Sequence, residues 1–99
     1  MSFEDVIRRQ LDLFEEECAD LIADCDNAQR AYDAADRDEA EERYGDYLDL
    51  VETGTDRLAE LRDGFASTMG EDAAEAYEAE FNRTVQARLP RFALGIENA

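Results

Sequence analysis

Apolar and small residues recur at alternating spacings of four and three along the first third of the chain: Ile7, Leu11, Phe14, Cys18, Leu21, Cys25, Ala28, Tyr32 and Ala35. A stripe of this period occupies one face of an α-helix and has to meet another helix. Ser2, with Asp5 three residues later, supplies an N-cap signal, so helix 1 is expected over about residues 3–35. A second stripe follows with the same alternation: Ala40, Tyr44, Tyr47, Val51, Gly54, Leu58, Leu61 and Phe65. The step of five from Ala35 to Ala40 breaks the phase between the two. Asp36, with Glu39 at the capping-box position, places a tight turn there and helix 2 over about 37–66.

No glycine or proline marks that turn, and one continuous kinked helix is the competing reading. The complementarity of the stripes favours a hairpin. Folded at Asp36, the layers become Ile7 with Phe65, Leu11 with Leu61, Phe14 with Leu58, Cys18 with Gly54, Leu21 with Val51, Cys25 with Tyr47, Ala28 with Tyr44 and Tyr32 with Ala40. Large faces small near the turn, which fills space without voids. Close approach of two backbones opposite Cys18 would give the mid-helix Gly54 its reason.

The pattern stops after Phe65, and Thr68 with Glu71 offers a second capping box. A shorter helix 3 is expected over about 70–88, with Ala74, Tyr77, Phe81 and Val85 on a narrow apolar face, ending before Pro90. An apolar tail, 89–99, follows, in which Pro90 can open one more helical turn closed by Gly95. The fold class is therefore all-α: a long antiparallel, coiled-coil-like hairpin plus a shorter third helix, a three-helix bundle in one domain that dimerises. The tail either folds back over Tyr44, Tyr47 and Leu48 of its own hairpin or joins them in a dimer or partner surface. The residues expected at that interface are Tyr32, Tyr44, Tyr47, Leu48, Phe92, Leu94 and Ile96.

Charge narrows the choice of partner. The 27 carboxylates face ten basic residues, all arginine, for a net charge of −17. Nucleic acid and anionic membrane are repelled, and no apolar run is long enough to span a bilayer. The N-terminus has no basic region ahead of an apolar stretch, so the expectation is a cytoplasmic protein without a signal peptide. Acidity without lysine fits salt adaptation, in which screening relieves rows such as Asp12, Glu16, Asp20 and Asp24. A basic protein partner is the other use for such a surface. Cys18 and Cys25 lie about 10.5 Å apart along one helix, too far for a disulfide between them. Buried reduced thiols are expected, with a cross-chain disulfide in a dimer as the sharper alternative.

The search for chemistry returns little. Without histidine there is no Ser-His or Cys-His pair and no Glu-x-x-His metal motif, and the two serines, Ser2 and Ser67, fall at helix ends. The segments beginning at Asp24 and Asp36 lack the glycine of an EF-hand loop. No enzyme activity, cofactor or metal site is expected. The function expected is a non-enzymatic acidic helical interaction or scaffold module that self-associates as a homodimer. The alternative is an acidic inhibitor that imitates nucleic acid on a basic protein, with rows such as Glu52, Asp56, Glu60 or Glu71, Glu75, Glu78 as contacts.

Overall fold

The computed structural model describes residues 2–98, and side chains as far as residue 97. Residue 99 of the apolar tail lies outside the described residues. Among those described, the chain forms five helices and no strand: α1 Glu4–Glu17, α2 Ala19–Asp33, α3 Arg37–Ala66, α4 Glu71–Arg88 and α5 Pro90–Asn98. The molecule is elongated, 51 × 24 × 19 Å. At about 1.5 Å per residue the 30 residues of α3 run nearly this whole length.

The turn at Asp36 is present. Asp36 is the N-cap of α3 with an extended backbone, φ −71° and ψ 163°, and its carbonyl accepts the N–H groups of Glu39 and Ala40. α2 runs back along α3 from there, and the rings of Tyr32 and Tyr44, which belong to adjacent expected layers, meet at 5.2 Å. The capping box expected from Thr68 does not form. Gly70 caps α4, and the Thr68 hydroxyl donates to the Phe65 carbonyl at the end of α3.

Helix 1 is not continuous over 3–35. It breaks at Cys18, whose φ of −107° and ψ of 24° leave helical values. Two physical causes converge there. Glu15, Glu16 and Glu17 crowd the C-terminal end of α1, where the helix dipole disfavours negative charge. The two halves also answer to different neighbours. α1 is held on α4, where Arg88 bonds Glu15 at 2.7 Å and pairs with Asp12, and Glu80 accepts the Phe3 N–H at 2.8 Å. α2 stays on α3 and is tied to α5 by the Arg91–Asp26 pair at 2.8 Å. Asp26 therefore serves an arginine of a distant helix.

The tail is a nine-residue helix, longer than the single turn expected. Pro90 is its first residue, where the missing N–H costs nothing, and Leu89 before it leaves the helical region, φ −129° and ψ 62°. Gly95 lies inside α5 instead of closing it. α5 lies against both α3 and α4 and buries Phe92, Ala93 and Ile96.

The core gathers Ile7, Leu11 and Phe14 of α1, Leu58 and Ala66 of α3, Tyr77, Phe81 and Val85 of α4, and Phe92 and Ile96 of α5, with Cys25 at its edge. The apolar face expected for helix 3 is thus the one it buries. Gly54 does not face Cys18. A Cβ at Gly54 would run into the Phe92 ring, so the close approach is with α5. α3 also buries a second face, Thr55, Arg62 and Ala66, that the heptad stripe does not contain.

Candidate functional site

The structure separates the seven residues expected at an interface. Phe92 and Ile96 are core residues. The Phe92 ring meets Phe14 edge-on at 5.6 Å, and the Ile96 carbonyl accepts a 2.9 Å bond from Arg62. Their burial corrects the expectation that they form a surface. The other five stay on the outside or partly so. Leu94 is 80 % exposed, Tyr44 46 %, Leu48 43 % and Tyr32 38 %, while Tyr47 is half-buried.

Tyr47, Leu48 and Leu94 come together in an open groove of about 510 Å³ between α3 and α5. Its α3 wall is Tyr47, Leu48, Val51, Glu52, Thr55 and Asp56, and its α5 wall is Arg91, Leu94 and Gly95. The helical period explains the first wall: positions 48, 52 and 56 lie one turn apart, as do 47, 51 and 55. Helix α5 lies tight against that wall because Gly95 has no side chain. A Cβ there would lie 2.8 Å from Cγ2 of Thr55. The Thr55 hydroxyl is already used, donating to the Val51 carbonyl at 3.0 Å.

Arg91 closes one end of the groove. It bonds Asp26 and Gln29 of α2 at 2.8 Å each, donates from Nε to the Tyr47 hydroxyl at 3.2 Å, and sits 5.7 Å from the centre of that ring. Burial works against its charge, and the Asp26 carboxylate and Tyr47 more than offset this, holding its pKa above the ordinary arginine value. Arg91, Thr55 and Gly95 belong to no stripe, so the hydrophobic pattern does not mark them. The cue available was the pairing of an arginine and a glycine around an apolar tail, next to the recognised row of Glu52 and Asp56.

Tyr32 and Tyr44 stand apart from the groove, one turn nearer the α2–α3 turn. Around them, from residue 30 to 46, no residue is buried and none packs on the core, so this end consists of α2 on α3 alone. Other reactive groups are committed to structure. The Ser2 hydroxyl accepts the Glu4 N–H at 3.1 Å, and Ser67 donates to the Gly64 carbonyl at 2.7 Å. The Cys25 thiol is buried, and burial pushes its pKa up, away from a reactive thiolate. Among the described residues, no group of three or more His, Cys, Asp or Glu is arranged to hold a metal ion, and no helix is long and apolar enough to cross a membrane. Comparison with protein-family models, curated proteins and solved structures finds no significant match to this chain.

Proposed function

We propose that this protein is a non-enzymatic, acidic, helical interaction or scaffold module that self-associates as a homodimer through the tip of its α2–α3 hairpin. The observation that carries this reading is the thinly covered tip: residues 30–46, without a buried side chain and with none packed on the core, exposing the Tyr32–Tyr44 pair. Two helices alone bury little apolar surface, and a second copy of the same hairpin supplies the missing layers in four-helix form. Net charge of −17 per chain opposes the union of two copies at low salt, so apolar packing has to hold it.

Sedimentation across a salt series tests the reading. The expected result is a dimer whose mass persists or grows as salt rises, and a monomer for the Tyr32→Ser, Tyr44→Ser double variant with unchanged helicity. A double variant that keeps the wild-type mass places the interface elsewhere. A wild type that stays monomeric at every salt concentration removes self-association.

A second reading, an inhibitor that imitates nucleic acid, is favoured by the exposed carboxylates of Glu52, Asp56 and Glu60 on α3 and of Glu71 and Glu75 on α4. Its complex with a basic protein would weaken steeply with salt and would be displaced by DNA or RNA, which the dimer would not be.

A further inference from the structure

We propose that the groove between α3 and α5 is a docking site for a basic amphipathic helix of a partner protein. The groove offers apolar surface in a shape that needs no refolding. Val51, Thr55 and Gly95 form its floor, and Leu48 and Leu94 stand at opposite lips, the latter 80 % exposed. The floor is held firm from below. Phe92 fills the space beside Gly54, Gly95 lies against Thr55, and Arg62 and Arg91 fasten the two ends of α5 through Ile96 and Asp26. A preformed floor spares a ligand the cost of ordering it.

Charge selects the occupant. Glu52 and Asp56 lie on successive turns of the α3 wall and are exposed. Arg91, the one cation among the lining residues, is engaged by Asp26 and adds little positive field. A second copy of the chain would bring net charge of −17 to this acidic rim, whereas a lysine- or arginine-flanked helix gains from it. The α3 wall from Tyr47 to Asp56 runs for about 14 Å, or two and a half helical turns. That length suits apolar anchors at i, i+4 and i+7 of a bound helix, with its basic residues over Glu52 and Asp56.

This site does not depend on the dimer at the tip, and salt separates the two: the dimer strengthens as salt rises, and this complex weakens. The probe is a fluorescein-labelled peptide of leucine and lysine, amphipathic at helical spacing, measured by anisotropy and circular dichroism against the full chain. Saturable binding with a gain in peptide helicity is expected. Leu94→Asp should weaken it about tenfold, the effect of losing one well-buried leucine contact. Glu52→Lys with Asp56→Lys should weaken it to a similar degree at low salt. Glu16→Lys with Asp20→Lys, which makes the same change of net charge away from the groove, should cost less than about twofold.

Equal binding by a scrambled peptide of the same composition would overturn the proposal, as would equal losses from the near and far charge reversals, since either reduces the interaction to general attraction. Loss of the protein's own dimer mass in Leu94→Asp, with peptide binding intact, would assign the groove to a second copy and equally reject it. All five substituted positions are exposed, and thermal melts of each variant confirm folding before binding is read.

Discussion

Tyr77 sits at the centre of the aromatic core, with Phe3, Phe65 and Phe81 at ring-centre distances of 5.6, 5.0 and 5.9 Å. Its hydroxyl finds Gln10 at 2.7 Å, which lets a polar atom go under cover. Burial pushes its pKa up to about 12 from the ordinary 10, opposed in part by the Gln10 bond. The folded state therefore holds this proton where the unfolded chain has released it. Stability is full below pH 10 and falls as pH rises towards 12, by about 2 to 3 kcal/mol. Urea unfolding between pH 9 and pH 12 should show the fall, and Tyr77→Phe should flatten that part of the profile. The two thiols differ in the same spirit. Cys18 is partly exposed at the helix break, and Cys25 is buried with its pKa raised by burial. Native-state alkylation followed by mass spectrometry should modify Cys18 well before Cys25, and denaturant should remove the difference. At this scale the sequence was only half readable. Stripe positions such as Ile7, Leu11, Phe14, Leu58, Phe81 and Val85 announced their burial, whereas Thr55 and Arg62 did not. Arg62 is 5 % exposed and survives there because Asp63, Asn82 and the Ile96 carbonyl, gathered from three helices, accept its protons at 2.8 to 3.0 Å. No local pattern encodes such a set of acceptors.

Among the elements, α5 does the most to complete the core for its length. It contributes Phe92, Ala93 and Ile96 from nine residues. It was foreseen as an apolar tail, and its docking place was not, because the glycine that receives it lies on another helix. A methyl group at position 54 has nowhere to go but into the Phe92 ring. Gly54→Ala should therefore destabilise the protein by about 1 to 3 kcal/mol although alanine is the better helix former, and a lowered melting temperature would show it. If Phe92→Leu is added, about half of the loss should return. The break at Cys18 was illegible for a related reason. The heptad stripe runs through it in register, and the ion pairs that hold α1 and α2 on different neighbours come from Arg88 and Arg91, more than sixty positions away. The turn at Asp36 was readable from the shift of phase between the stripes, and the end of α4 from Pro90, both local signals.

For the whole molecule, charge governs the response to solution conditions. With net charge of −17, and with Glu16, Asp20 and Asp24 exposed along α1 and α2, added sodium chloride should raise the melting temperature by screening, most steeply below about 0.2 M. The distribution of burial adds a consequence of another kind. The segment 30–46 has no buried side chain of its own and none packed on the core. Opening that segment exposes little that was hidden from water, so it need not wait for global unfolding. Amide hydrogen exchange should then divide α3 along its length. Protons around Leu58 should exchange only through complete unfolding, while those between Ala40 and Asp46 should exchange orders of magnitude sooner. One uninterrupted helix thus joins two regions of different lifetime, and in a dimer that seals the tip the difference between them should shrink.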